Sequence, residues 1–174
     1  MRDEDSAERQ EAGLAALEPY GRVLKAVDFE LAYLALLTRE GVKPLSRWEK
    51  PLDGEHVDAL EHMGLLTARV ERTVQSGKRI VEVVFSRSPG CIRTYDAAFA
   101  GTPIDKSAAA QRLEGYLFGY PPCCIEEYIR RPYSANDLPA GDQKILFHWA
   151  CNGCRITALL LPAYIRAHDI AGRW

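Results

Sequence analysis

The stretch LTARVERTVQSGKRIVEVVF (residues 66–85) decides the fold class, because the spacing of its apolar residues differs from that of the flanking sequence. Apolar and polar residues alternate from Leu66 to Val70, a period of two that is typical of a β-strand. A second apolar run, residues 80–85, follows a segment with turn composition at 75–78. The two runs and the turn predict a β-hairpin.

On both sides of the hairpin, apolar residues recur every three or four positions, which is typical of helices. Upstream, Pro19 is expected to interrupt a first helix, and residues 42–54, which contain two prolines, are expected to form a loop. The predicted helices cover residues 21–40, 55–63, 91–99, 105–118, 122–130, 142–149 and 155–168. The chain is therefore predicted to be mostly α with one β-hairpin, an α+β protein.

The predicted elements divide the 174-residue chain into two regions that are expected to share one core. Residues 1–88 hold helices and the hairpin in the order of a winged-helix module. Residues 89–174 are helical and contain all five cysteines. A chain of this length can bury a core without the help of disulfides, so the cysteines are free to serve another purpose.

Charge and hydropathy limit the classes of function. Lys and Arg number 22 and Asp and Glu number 24, a net charge of -2, which argues against coating nucleic acid or anionic membrane by bulk charge. No apolar run reaches the length of a membrane span, and Met1–Asp5 lacks the apolar segment of a signal peptide. We therefore expect a cytoplasmic protein with no membrane partner. In that reducing compartment, cysteines serve more often as metal ligands or redox groups than as disulfides.

Four of the five cysteines form two pairs, each at the predicted start of a helix. Cys123 and Cys124 are adjacent, Cys151 and Cys154 form a C-x-x-C turn, and 26 residues separate the pairs. A C-x-x-C turn lets two sulfurs converge on one ion, and a helix N-terminus favours the thiolate form that binds metals. We predict that these four cysteines are the ligands of a metal centre.

The identity of the metal is left open by the sequence. Zinc accepts four thiolates in a tetrahedron, and iron–sulfur clusters are also held by cysteine thiolates. Side chains of consecutive helical residues diverge by about 100°, so Cys123 and Cys124 are not expected to reach one zinc ion easily, which favours an iron–sulfur cluster over zinc. Two interpretations need no metal: the cysteines pack as small apolar residues, or they form a dithiol–disulfide switch.

The box GYPPCCIEEY (residues 119–128) resembles a small microbial family described as a domain of unknown function, whose members carry a Gly-Tyr-Pro-x-Cys-Cys box followed by an aromatic residue. The similarity covers roughly the second half of the chain and implies a metal site but no established activity. The order of all five cysteines, beginning at Cys91, is also similar to the CCG domains of heterodisulfide reductases, which implies a non-cubane iron–sulfur cluster. The chain departs from that pattern because Ile125, rather than glycine, follows Cys124.

Four residues near the cysteines are candidates for catalysis or substrate binding. His148, three residues before Cys151, can move protons or bind the metal, and Glu127 can act as a general base. Tyr120 is predicted to line a substrate pocket, and Arg130 is predicted to bind an anionic substrate. Each also has a structural interpretation, namely core packing for His148 and Tyr120 and a solvated helix surface for Glu127 and Arg130.

The first functional hypothesis is a metalloprotein, in one form a metal-dependent enzyme that transfers sulfur, electrons or protons to a small-molecule substrate. The second is a nucleic-acid-binding or regulatory module with a structural or sensing metal, because residues 65–93 carry six basic and two acidic side chains. Nucleic acid is not the favoured partner, since the predicted helix 55–63 is acidic. The third hypothesis is a dithiol redox protein.

Overall fold

The computed structural model describes the backbone of residues 4–74 and 76–174, and side chains from residue 13 onward except residue 75. Within this part the chain forms eight helices and three strands, which confirms a mostly α protein with a small β region. In chain order these are α1 (Glu4–Val27), α2 (Phe29–Arg39), β1 (Leu45–Trp48), α3 (Gly54–His62), β2 (Leu66–Thr73), β3 (Arg79–Ser86), α4 (Pro89–Phe99), α5 (Ala108–Leu117), α6 (Pro122–Arg130), α7 (Ala140–Ile145) and α8 (Arg155–Arg173).

The sheet contains the predicted hairpin and one strand that was not predicted. Its order is β1-β3-β2, with both neighbours antiparallel to β3. Strand β1 lies in the segment predicted to be a loop, and its Leu45 and Trp48 are buried. A four-residue strand is too short to show a period, and it is stabilised by its pairing with β3. Gln75 of the predicted turn lies outside the described residues.

The first helical boundary lies nine residues later than expected. α1 continues through Pro19, because proline removes one N–H group while its fixed φ remains close to the helical value. The break comes at Asp28, which has an extended backbone and accepts a hydrogen bond from the Glu30 N–H at 3.0 Å. Asp28 is thus the N-cap of α2, and the single helix predicted over residues 21–40 is two helices.

The segment before the second cysteine pair is also less helical than predicted. α7 ends at Ile145, so His148 and Trp149 of the predicted helix 142–149 lie in irregular backbone. The Gln143 side chain donates to the His148 carbonyl at 2.9 Å, and the Trp149 indole donates to the Ser134 carbonyl at 2.7 Å. These bonds replace helical ones and fix the path of residues 146–150.

Three apolar clusters make up the core, and helix α2 contributes to two of them. One cluster joins α1, α2 and α3 to one face of the sheet, and another covers the opposite face with α4 and α5. The third joins α2 to α8; there Tyr33 donates to the carbonyls of Ile145 and Tyr164 at 2.8 and 3.2 Å. Apolar contacts therefore cross residue 88, and the division of the chain into regions 1–88 and 89–174 stays a prediction.

A buried group of charges joins the sheet to α4 and α5. The Arg72 side chain is fully buried and donates to Glu114 at 2.8 Å, and Arg47 donates to the same carboxylate at 2.8 Å. Tyr95 donates to the fully buried Glu82 at 2.7 Å. Two arginines thus face two glutamates, which satisfies charges that would otherwise be very costly to bury.

The helices of region 1–88 bear on the winged-helix order expected from the sequence. A helix-turn-helix places two consecutive helices around a short turn. Here α3 is preceded by β1 and by residues 49–53, which are not helical. The structure therefore has no helix directly before α3, and the winged-helix interpretation of region 1–88 stays a prediction.

The C-terminal residue gives a test of this packing. Trp174 lies against α1 at Gly21, where an added Cβ would overlap the indole ring, and Lys25 donates to the Gly172 carbonyl at 2.7 Å. We predict that Gly21→Ala lowers the free energy of unfolding in urea by about 1–3 kcal/mol because of this overlap.

Gly13→Ala, in the same helix, is the matched control. A Cβ at residue 13 meets no atom within 4 Å, so this change should raise the free energy of unfolding by up to about 1 kcal/mol through helix propensity. Stabilisation of the same size by Gly21→Ala would contradict the proposed packing of Trp174.

Candidate metal centre

The starts of two helices bring the four paired cysteines together. Pro122 occupies the first turn of α6, so Cys123 and Cys124 follow at the beginning of that helix. Cys154 is the N-cap of α8, where its sulfur accepts from the Thr157 N–H at 3.3 Å. Gly153 has a φ of 65°, a left-handed conformation that favours glycine and closes the C-x-x-C turn.

All four sulfurs lie within 4.8 Å of one another. The Sγ atom of Cys154 is 3.4 Å from that of Cys124 and 3.5 Å from that of Cys123, and the sulfurs of Cys124 and Cys151 are 3.8 Å apart. This group can hold a metal ion. The expected divergence of the adjacent pair is not observed, because the buried Cys124 and the exposed Cys123 both reach Cys154.

Hydrogen-bond donors surround the sulfurs. The Cys151 N–H donates to Cys124 Sγ at 3.3 Å, and the Thr157 hydroxyl donates to Cys154 Sγ at 3.2 Å. Burial alone would raise the pKa of the Cys154 thiol, but the hydrogen bonds from Thr157, together with those from Cys124 and Cys123, outweigh it and lower that pKa to about 7. Burial raises the pKa of Cys151 to about 11 and that of Cys124 well above its usual range.

These opposite pKa shifts, at Cys124, Cys151 and Cys154, arise where thiols are crowded together. Thiolates placed this close repel one another, so the group cannot become fully ionised by itself. A divalent cation at the centre would favour the thiolate forms instead, because coordination deprotonates thiols outright. The cluster therefore has the donor set and the spacing of a metal site.

His148 lies next to the cluster but is not part of it. The side chain is 7% exposed, and its Nε2 atom is 2.9 Å from the Thr157 hydroxyl, which also contacts Cys154. Its Nδ1 atom has no hydrogen-bond partner among the described atoms. Burial, assisted by the nearby charge of Lys43, lowers the pKa of His148 to about 4. The imidazole is therefore neutral at pH 7, and its predicted catalytic role stays a prediction.

A cleft of about 520 Å³ opens beside the cysteines, between α5, α6 and residues 143–149. Cys124, Tyr120 and His148 line it together, and the rings of Tyr120 and His148 lie 5.4 Å apart between centroids. The remaining lining is a mixture of aromatic and aliphatic side chains, with charge at Arg47, Glu114 and Lys144. The cleft has the size and composition of a small-molecule site.

The other two predicted site residues do not line this cleft. Glu127 pairs with Arg131 at 2.7 Å and with Arg130 at 3.7 Å, and the Arg130 side chain is 70% exposed. This ion-pair group lies on the surface of α6. The proposed general-base role of Glu127 and the substrate-binding role of Arg130 stay predictions without a cleft contact to support them.

Sequence reasoning missed Lys43. The residue is 2% exposed, and its Nζ atom donates to the Phe118 carbonyl at 3.0 Å. The rings of Tyr120, Phe147 and Phe118 surround Nζ, with centroids at 4.6, 5.3 and 5.5 Å. A lysine followed by Pro44 in a loop is usually solvated, so the sequence carried no signal for this burial.

The backbone beside Lys43 explains how the lysine becomes enclosed. Gly119 has a φ of 75°, and a Cβ there would lie 2.6 Å from Pro44 Cδ and 3.3 Å from the Val42 carbonyl. Only glycine permits this approach. It brings the backbone of residues 118–120 against residues 42–44, which places the Phe118 carbonyl and the Tyr120 ring around the lysine.

No protein-family model, curated protein or solved structure gives a significant match to this chain. In the described part of the chain, no helix combines the length and the apolar character that crossing a bilayer requires.

Because Lys43 is buried, its replacement by an apolar residue is expected to stabilise the folded protein. Burial lowers the pKa of Lys43 to about 7, so between pH 7 and about 10.5 the unfolded chain binds a proton that the folded chain has lost. Stability from this group therefore rises with pH across that window and is lowest below pH 7. We predict that Lys43→Met raises the free energy of unfolding at pH 6 by about 1–4 kcal/mol. The aromatic rings stabilise the wild-type ammonium through cation–π contacts, which reduces this gain.

Urea unfolding at pH 6 and pH 9.5 measures this difference, which should shrink at the higher pH. Lys106→Met is the control, because Lys106 is exposed and its replacement should change stability by less than about 0.5 kcal/mol. A Lys43→Met variant less stable than the wild type at pH 6 would show that the ammonium stabilises the fold.

Proposed function

We propose that the protein binds one zinc ion through Cys123, Cys124, Cys151 and Cys154, and that this ion holds the starts of α6 and α8 together as one wall of a small-molecule-binding cleft. The observation that carries the proposal is the mutual approach of the four sulfurs, all within 4.8 Å.

The spacing of the sulfurs favours a single ion over a cluster. A tetrahedral zinc site with Zn–S bonds of about 2.3 Å places its sulfurs about 3.8 Å apart. Three of the sulfur pairs here are separated by 3.4, 3.5 and 3.8 Å, and all pairs lie within 4.8 Å. In a cubane cluster each thiolate binds a different iron, so its sulfurs lie farther apart. The preference for iron–sulfur that the sequence suggested rested on a divergence of Cys123 and Cys124 that the structure lacks.

The composition of the ligand set favours a structural ion over a catalytic one. Catalytic zinc sites keep one position for water or substrate, whereas four protein ligands close the tetrahedron. Cys124 belongs both to the sulfur cluster and to the lining of the cleft. In this proposal the ion positions the cleft wall, and the ligand binds to the aromatic side chains beyond it.

One observation supports a dithiol function as a second candidate. Cys123 is exposed and its sulfur is 3.5 Å from that of Cys154, so an oxidant can reach the pair and a small movement would bring it to disulfide distance. The same pair would release zinc on oxidation.

The nucleic-acid alternative has less support. Of the basic residues in region 65–93, Arg72 is buried against Glu114, and Arg79 pairs with Glu71 at 3.1 Å. Both are therefore occupied by carboxylates, which reduces the charge that the hairpin presents to phosphates.

Metal analysis of the purified protein tests the proposal. We expect one zinc per chain, and near-complete loss of zinc in Cys124→Ser and in Cys151→Ser, because each change removes a thiolate that serine replaces poorly. Cys91→Ser is the matched control and should retain the full zinc content, since Cys91 packs against the sheet cluster and is not in the sulfur group.

Two results would contradict a zinc site. A brown protein purified without oxygen that contains iron and acid-labile sulfide would replace zinc with a cluster. A protein with no bound metal after purification and after incubation with zinc would leave the dithiol function as the remaining candidate.

A further inference from the structure

Lys43 forms a second polar site, which the proposed zinc function does not use. An ammonium group has three donors, and Lys43 Nζ has one hydrogen-bond acceptor in the structure, the Phe118 carbonyl. Among the described residues no carboxylate lies within ion-pair distance of Nζ. Three aromatic rings face it instead, the nearest being Tyr120.

An apolar enclosure of this kind favours the neutral amine. A buried ammonium is strongly disfavoured unless a carboxylate pairs with it, and the rings compensate only in part. Burial lowers the pKa of Lys43 to about 7. Near neutral pH, much of the side chain therefore carries the free lone pair that makes a lysine nucleophilic.

The amine lines a cavity with room for a small molecule. This cavity measures about 260 Å³ and shares Arg47, Phe118, Tyr120 and Phe147 with the larger cleft, so the two spaces are neighbours. Its other charged groups come from two elements and their flanks: Glu30 on α2, and Glu49 and Lys50 just after β1.

The comparison with Lys50 shows what is special about Lys43. Lys50 lines the same cavity but is exposed and pairs with Asp28 at 2.7 Å. The hydrogen bond from Asp28 raises the pKa of Lys50, so that side chain stays an ammonium at neutral pH. Two lysines therefore line the same cavity: Lys50 pairs with a carboxylate, and Lys43 has no carboxylate partner among the described residues.

We propose that Lys43 is a covalent binding site for small aldehydes, which it holds reversibly as an imine. The neutral Nζ atom adds to the carbonyl carbon and forms a C–N bond, while the carbonyl π pair moves to oxygen and a proton passes from nitrogen to that oxygen. The hydroxyl group then leaves as water with a proton from solvent, the nitrogen lone pair forms the C=N bond, and the remaining N–H proton of this iminium returns to solvent to give the imine. The step needs no oxidant or reductant.

Reductive trapping on the full chain tests the proposal. The protein is incubated with acetaldehyde and cyanoborohydride, which reduces an imine to a stable secondary amine, and peptide mass mapping gives the rate at each lysine. At pH 7.4 we expect Lys43 to be modified at least about tenfold faster than Lys50, because its neutral fraction is far larger.

The pH dependence of the modification rate distinguishes a lysine whose pKa is lowered from one that reacts only because it is accessible. The rate at Lys43 should stop rising above about pH 7–8, whereas the rate at Lys50, whose pKa is raised by Asp28, should continue to rise to pH 9. Lys43→Met, confirmed as folded by circular dichroism, should remove the fast site and leave the rates at Lys50 and Lys106 unchanged.

Modification of Lys106 with none at Lys43, or modification of Lys43 only in urea, would overturn the proposal. Neither result bears on the zinc site, because Lys43 is not among its ligands. Lys43→Met should keep the wild-type zinc content, so failure of one proposal is distinguishable from failure of the other.

Discussion

The convergence of four cysteine sulfurs is the constraint on which the second half of the structure depends. The 26 residues between Cys124 and Cys151 contain α6, a loop and the short α7, and both ends of this segment meet in the same sulfur group. Closing such a loop opposes folding by lost chain entropy. Crowded thiols cannot compensate for that loss, whereas a bound cation can, because its binding free energy adds to the free energy of folding.

The cleft follows from the same arrangement. Cys124 fixes the start of α6, and the bonds of Gln143 and Trp149 hold residues 146–150 in an irregular path that turns His148 toward the cleft. On the opposite side, Gly119 lets the backbone approach Lys43. Aromatic rings of this region therefore line both the cleft beside the cysteines and the cavity at Lys43. A ligand in either space would contact rings that also line the other.

Local pattern predicted much of this fold. The hairpin appeared as alternating residues, α6 began and ended where Pro122 and the following residues indicated, and the four cysteines were grouped from their spacing alone. These features depend on interactions within a few residues of one another. The Asp28 N-cap is also local, but the regular apolar spacing on both sides of it concealed the break.

The features that sequence reasoning missed depend on contacts between distant segments. β1 is stabilised by pairing with β3, whose partner residues follow 35 to 41 positions later. The last turn of the predicted helix 142–149 is replaced by side-chain bonds to its backbone. The burial of Lys43 requires the left-handed Gly119, 76 positions away. The geometry of Cys123 and Cys124 was misjudged because helical directions alone ignore where the partner Cys154 lies.

X-ray absorption at the zinc edge is the most direct test of the metal centre. A zinc ion held by the four cysteines should give four sulfur neighbours at about 2.3 Å and no metal atom in the next shell, and the signal should be lost in the Cys124→Ser variant. A shell of nitrogen and oxygen neighbours at zinc, or an iron edge with a second iron nearby, would contradict a single ion held by these four cysteines.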